Sequence, residues 1–162
     1  MELPRRIRRL IPREFFLTSG KGVSNVSKLN AYLNALIEAG VAQCNLFPAG
    51  YIIPPKCRER RWKKVPVGMI TPAVIARADG GGGDTIGAGL AWGWEKNGLY
   101  GVVAEASGNM DRKALKETLK RRLESMSKSL GIELVQKRLR IEVMKVPVGY
   151  YGSVVVTMVF TI

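Results

Sequence analysis

Residues 86–106, IGAGLAWGWEKNGLYGVVAEA, decide the fold class. Two apolar runs, 86–94 and 99–106, flank the turn-forming tetrapeptide EKNG at 95–98. Apolar runs of strand length around such a turn predict a β-hairpin. The next long segment has helical spacing instead, so strands and helices are both present but do not alternate regularly. That order indicates an α+β domain.

The longest predicted helix follows the hairpin, from Asp111 to Leu130. Asp111 is a good N-cap and Gly131 a good terminating residue, and leucines recur between them at helical spacing. A shorter helix is predicted over Ser27–Ala39 for the same reasons, with Gly40 after it. Large apolar residues recur along this first helix at positions 29, 32, 33, 36 and 37.

Further strands are predicted on both sides of these helices. After a short apolar segment at 15–19, they cover 41–47, 51–53, 67–76, 138–143 and 153–162. The last is almost wholly apolar, so we expect it to be buried inside the domain or between subunits. We therefore predict a basic tail over residues 1–13 and one α+β domain over 14–162. This domain is a sandwich of a mostly antiparallel sheet and two main helices.

Composition excludes several classes of function. The chain has no histidine and only two cysteines, Cys44 and Cys57, without a CxxC spacing. Zinc, haem and non-haem iron sites, and any mechanism that needs imidazole, are therefore not expected. No apolar run approaches the ~20 residues that span a bilayer, and the basic start lacks the apolar core of a secretory signal. We expect no metal, no membrane partner and a cytoplasmic location.

The formal net charge of +13 could indicate a polyanionic partner. The excess is concentrated in the tail, in one loop at 56–64 and on the second helix at Lys113, Lys116, Lys120, Arg121 and Arg122. No RNA-binding aromatic motif or helix-turn-helix spacing accompanies these charges. Solvated surface charge is the interpretation we adopt, with a nucleic-acid or acidic-protein partner, or contacts between subunits, as the alternatives.

Two polar residues stand in apolar surroundings. Glu105 ends the run at 101–104, where it could act as a general acid or simply be a surface carboxylate. Asn45 lies between Cys44 and Leu46, where it could be functional or be a core residue with satisfied hydrogen bonds. The glycine-rich stretch at 80–83 precedes a strand rather than a helix, so we interpret it as a turn and not as a phosphate loop.

Several short motifs of the sequence, in their order and spacing, resemble those of the pyruvoyl-dependent arginine decarboxylases. They are FFLTSG (15–20), SKLNA (27–31), AGV (39–41), NL (45–46), IPP (53–55), PVG (66–68), ARADG (76–80) and GVVAE (101–105). The resemblance runs from about residue 12 to about residue 130. It implies the fold of that family, a trimer or pair of trimers with the site between subunits, and a lyase that makes agmatine for polyamine synthesis.

The resemblance also implies a self-processing serine, which this chain lacks. In the family, that serine lies just before the Ile-x-Pro-Pro word. Its hydroxyl attacks the preceding carbonyl, and elimination and hydrolysis leave a pyruvoyl group that captures arginine. Here the two positions are Gly50 and Tyr51, and no serine occurs between Ser27 and Ser107. A pyruvoyl cofactor is therefore not expected.

Of the other positions matched to the family, two keep the family's residue and one does not. The resemblance makes Asn45 the residue that assists cleavage and Glu105 the proton donor. The family's acidic residue two positions after the Asn-Ala pair, which holds the guanidinium of arginine, is Leu33 here. Loss of that carboxylate leaves a buried cation without its partner.

These departures favour a non-self-processing paralogue with the family's fold and assembly. It would be a structural or regulatory subunit, either beside an active serine-bearing sister chain or with a different ligand. The alternatives are an active arginine decarboxylase, and a binder of nucleic acids or acidic proteins on the same scaffold.

Overall fold

The computed structural model describes residues 10–162. The predicted basic tail falls mostly on residues 1–9, outside the described part, although its last residue, Arg13, already donates its main-chain N–H to the carbonyl of Thr161 at 3.1 Å. Within the described range, neither helix has the length and apolar character required to cross a membrane.

Both predicted helices are present with the predicted caps. Helix α1 is Lys28–Ala39, with the Ser27 side chain accepting from the N–H of Asn30. Helix α2 is Arg112–Leu130, with Asp111 accepting from the N–H of Ala114. Each helix ends at a glycine in the left-handed conformation, Gly40 or Gly131, where a side chain would be strained.

Nine strands complete the described part of the chain. They are β1 Glu14–Ser24, β2 Asn45–Pro48, β3 Ile52–Ile53, β4 Arg58–Glu59, β5 Ile70–Gly81, β6 Thr85–Glu95, β7 Gly101–Gly108, β8 Leu134–Lys145 and β9 Tyr151–Thr161. They form two sheets rather than the single sheet that the sequence suggested. One has the order β2-β5-β9-β1-β4, and the other has the order β3-β7-β6-β8.

The pairing is mostly antiparallel, as predicted. Only the short edge strands β2 and β4 run parallel to their neighbours, β5 and β1. A hydrophobic layer that includes Phe15, Met158, Leu90 and Trp92 fills the space between the sheets. Helix α1 covers the outer face of the five-stranded sheet, and α2 covers the outer face of the four-stranded sheet. The α+β sandwich is therefore confirmed, as four layers in the order helix, sheet, sheet, helix.

Strand β9 is the centre of the five-stranded sheet. It pairs with β1 on one side and β5 on the other, and residues 152–160 are all buried. Its continuous apolar character is thus explained inside the domain, because both of its faces are covered by other layers of the same chain.

Helix α1 buries a different face from the one that its large residues suggested. The buried positions are Ala31, Ala35, Leu36 and Ala39. Leu29, Leu33 and Ile37 are exposed. The cause lies in β1, where a Cβ on Gly20 would fall 2.0 Å from the carbonyl oxygen of Ala35. The helix lies so close to the strand that only small residues fit between them.

Several predicted strands have different bounds in the structure. The segment predicted over 41–47 is a turn up to Cys44 and becomes a strand only at Asn45. The segment predicted over 67–76 begins at Ile70 and continues to Gly81. Pro72 lies before the point at which β9 joins β5, so its missing N–H costs no bond to that strand.

Candidate functional site

Tyr51 is positioned by the edge of the four-stranded sheet. The main-chain N–H of Val103 donates to the Tyr51 carbonyl at 2.9 Å, and the next two residues form β3 against β7. The side chain remains 47% exposed. The backbone is therefore fixed by β7 while the phenol can face a cleft.

Glu105 lies on β7 at the end of this pairing. The Tyr51 hydroxyl donates to Oε1 of Glu105 over 3.5 Å, which is a long and weak hydrogen bond. Glu105 is partly buried, and its carboxylate is not ion-paired within residues 10–162. The structure thus brings together two of the site residues that the sequence predicted.

Arg122 of α2 completes this cleft and was not predicted as a site residue. Its Nη1 donates to the main-chain carbonyl of Glu105 at 2.5 Å. The cleft has a volume of about 260 Å³, and its other lining residues are Ala104, Ser125 and Met126. The signal available in the sequence was the spacing of 122 and 126, one helical turn apart and adjacent to the buried leucine stripe.

Asn45 lies on a different sheet. It is the first residue of β2, exposed, and its Nδ2 donates to the carbonyl of Gly68 at 2.9 Å. None of its hydrogen bonds within residues 10–162 reaches Tyr51 or Glu105. Its expected place beside Tyr51, in the same chain or across a subunit boundary, stays a prediction.

Leu33 is also separate from the cleft in a single chain. It lies on the outward face of α1, 43% exposed, whereas the cleft lies under α2 on the other side of the sandwich. Leu29 and Ile37 share this face one turn away on each side. Leu33 therefore belongs to an apolar surface rather than to the Tyr51 cleft of its own chain.

The guanidinium group of Arg77, from the same chain, lies next to that surface. The Cζ atom of Arg77 lies 3.6 Å from the centroid of the Tyr32 ring, within cation–π distance. Arg77 also donates to both oxygens of Asp79, at 3.0 and 2.8 Å, and Ser153 donates to Asp79 at 2.8 Å. Burial raises the pKa of the Tyr32 phenol. Asp79 is thus engaged by the chain's own arginine.

Comparison with known proteins identifies the family. The sequence profile described as "Pyruvoyl-dependent arginine decarboxylase (PvlArgDC)" matches residues 14–162. This chain belongs to the pyruvoyl-dependent arginine decarboxylase family. The sequence resemblance is confirmed, and the match extends to the last strand, β9.

Individual members of the family show the same degree of similarity. The chain is 34% identical over 128 residues to a pyruvoyl-dependent arginine decarboxylase of Methanopyrus kandleri, covering 79% of this chain and 83% of that protein. It is 35% identical over 134 residues to pyruvoyl-dependent arginine decarboxylase 2 of Archaeoglobus fulgidus, covering 78% and 83%. It is 33% identical over 110 residues to a relative in Thermococcus kodakarensis, covering 67% and 70%.

The residues that the sequence resemblance places at the family's processing position do not fit a pyruvoyl group. A side chain with a hydroxyl on Cβ is required there, and this chain has Gly50 followed by Tyr51. A Cβ on Gly50 would meet no atom within 4 Å beyond the neighbouring residues of the chain, so the space beside it is open. Within residues 10–162, no group of three or more Cys, Asp or Glu is placed to hold a metal ion either.

Proposed function

We propose that this chain is a non-self-processing member of the pyruvoyl-dependent arginine decarboxylase family. It keeps the family's fold and assembly without the pyruvoyl group, and serves as a structural or regulatory subunit or binds another ligand. The observation that carries this proposal is Tyr51, which stands at the processing position with its hydroxyl directed at Glu105.

The chemistry of tyrosine supports the proposal. A serine hydroxyl is one bond from Cβ and reaches the preceding carbonyl through a five-membered ring. The phenol oxygen of Tyr51 is held at the far end of a rigid ring and points to Glu105. The Cβ of tyrosine carries an aryl group, which cannot leave in an elimination as a carboxylate does. Processing at Gly50-Tyr51 is therefore not expected.

We further propose a homotrimer or a pair of trimers, with an active serine-bearing paralogue as a second partner. Leu33 lies apart from the Tyr51 cleft of its own chain, so a family-type site that includes position 33 needs a neighbouring copy. The exposed residues Leu29, Leu33 and Ile37 supply an apolar face that such a copy can cover. A cytoplasmic location accompanies this assembly.

The intact mass of the purified protein tests the proposal. One species of 17.8 kDa is expected. Cleavage before Tyr51 would give fragments of roughly 5.5 and 12.3 kDa, the shares of that mass that 50 and 112 residues represent. Two such fragments, a borohydride-reducible carbonyl on the larger one, or steady agmatine production would contradict it.

An active arginine decarboxylase is the second candidate, favoured by the match over residues 14–162 and by the retained Glu105. The agmatine assay separates it from the first. A nucleic-acid or acidic-protein binder is the third, favoured by the exposed cations of α2, which include Lys113, Lys116, Lys120, Arg121 and Arg122. Salt-dependent binding to duplex DNA, RNA or an acidic protein would support it.

A further inference from the structure

A second and larger cleft lies between the C-terminal half of α2 and the edge strand β8. Its volume is about 680 Å³, within the range of small-molecule sites. It shares no lining residue with the Tyr51 cleft, which opens toward β7 on the other flank of the helix. It is therefore independent of the family site and of the function proposed above.

The floor of this cleft is apolar. Ala91, Leu123 and Leu134 are buried in it, while Leu139 of β8 is 37% exposed. Ile141, two residues further along the same face of β8, is only 7% exposed because α2 covers it. The cover that α2 gives to this face of β8 is therefore incomplete at Leu139, which leaves an apolar furrow.

The charges around the furrow are unbalanced. Its two carboxylates are engaged: Glu124 pairs with Lys128 at 3.5 Å, and Glu133 pairs with Lys96 at 3.3 Å. Lys120 and Lys137, on opposite sides of the furrow, form no ion pair with any carboxylate of residues 10–162. The ammonium groups of these two lysines are thus available to interact with a negatively charged ligand in the furrow.

Gly93 determines where Lys137 lies. A Cβ on Gly93 would be 3.1 Å from Cγ of Lys137, so the lysine stem packs across the bare backbone of β6. Gly93 faces α2, because its neighbours Trp92 and Trp94 pack between the two sheets. The stem of Lys137 is therefore held on the helix side of the sheet, beside the furrow.

We propose that this furrow binds an aliphatic carboxylate. The alkyl chain would lie along Leu123, Leu134 and Leu139, and the carboxylate would be held between the ammonium groups of Lys120 and Lys137. An apolar floor with two uncompensated cations matches an amphipathic anion and disfavours an amphipathic cation.

Isothermal titration of the full chain with hexanoate, octanoate and decanoate tests the alkyl contact. Each added methylene should lower Kd about fourfold, which corresponds to ~0.8 kcal/mol per buried CH₂. Octylamine has the same chain with the opposite charge and should not bind measurably. A Kd that does not depend on chain length, or equal binding of octylamine, would overturn the proposal.

Matched charge reversals test the headgroup contact. Lys120→Glu with Lys137→Glu should weaken decanoate binding about tenfold or more. Lys113→Glu with Lys116→Glu makes the same change in net charge outside the furrow and should leave Kd within about twofold. Equal losses in the two pairs would mean attraction by net charge alone and would refute the site. Leu139→Ser should flatten the chain-length dependence, and a slope unchanged in that variant would also refute it.

Discussion

Gly20 of β1 and Ala35 of α1 are in direct backbone contact. A Cβ on residue 20 would lie 2.0 Å from the carbonyl oxygen of Ala35, and Gly22 stands in the same relation to Ala31, at 2.1 Å. Because the opposing atoms are backbone, no side-chain rotation can relieve such an overlap. This contact sets the distance between α1 and the five-stranded sheet.

Gly20→Ala should therefore destabilise the protein strongly, by about 3 kcal/mol or more, since overpacking at a rigid contact forces the helix away from the sheet. Gly50→Ala is the matched control, because its new Cβ meets nothing within 4 Å. It should change stability by no more than about 0.5 kcal/mol. Urea unfolding of both variants gives the comparison. A Gly20→Ala protein as stable as the parent would disprove the close contact.

Tyr51→Ser should restore cleavage of the chain. It places a hydroxyl on Cβ at the position that the family resemblance assigns to the processing serine, and Asn45 matches the family residue that assists cleavage. Mass spectrometry should show fragments of roughly 5.5 and 12.3 kDa in place of 17.8 kDa. Tyr51→Ala removes the same phenol without adding a hydroxyl and should stay intact. Tyr51→Ser with Asn45→Ala should cleave more slowly. If the Tyr51→Ser protein stays uncleaved, the prediction is wrong, and the residues around position 51 do not support self-cleavage either.

Arginine should bind the native chain no more tightly than about 1 mM, or ~4 kcal/mol. On the proposed function there is no ketone to capture its α-amine, and Leu33 offers no carboxylate at the position that the family resemblance assigns to the guanidinium. The net charge of +13 also repels it. In the Tyr51→Ser background, Leu33→Asp should improve binding, whereas Leu29→Asp on the same exposed face should not. Calorimetric titration measures both. Micromolar binding by the native chain would contradict the proposed loss of function.

Cys57 should be nearly inert to thiol reagents in the folded protein. Burial, reinforced by the negative charge of Glu14, raises its pKa to about 11 from 9.0. About one thiol in a thousand is then ionised at pH 8, so a disulfide exchange reagent should label the partly exposed Cys44 first. Unfolding in guanidinium chloride should make both thiols reactive. Rapid labelling of two thiols in the native state would contradict this burial.

The same shift has a consequence for stability. A raised pKa means that the folded state holds the proton more tightly, so the contribution of Cys57 is complete below about pH 9 and is lost as the pH rises to about 11. The difference in unfolding free energy between the parent and Cys57→Ala should shrink over that window. A difference that stays constant from pH 8 to pH 11 would argue against the shift.

Local signals in the sequence were sufficient for the helices and the class of the fold. Ser27 and Asp111 begin their helices, and Gly40 and Gly131 end them, because capping depends on residues a few positions apart. The outward direction of Leu29, Leu33 and Ile37 was not predictable in this way. It depends on Gly20 and Gly22, which meet α1 only after the strand and the helix have packed together.

The site was predictable in part for similar reasons. Glu105 and Tyr51 come together through the pairing of adjacent strands, and a matched family word identified each position. Arg122 was missed because its run of cations suggested a solvated helix face, and only the packing of α2 brings it to the carbonyl of Glu105. The division into two sheets was missed because alternation along a strand does not specify which strands are neighbours.

The central place of β9 governs how the chain can fold. Its partners β1 and β5 begin more than a hundred and about eighty residues earlier, so the five-stranded sheet depends on contacts of high sequence separation. Such topologies fold slowly, because a large loop must close before the contacts form. During synthesis on the ribosome, the edges of β1 and β5 that later pair with β9 stay unpaired until residues 151–161 emerge. During synthesis, those two edges are the parts of the sheet that most need protection from other chains.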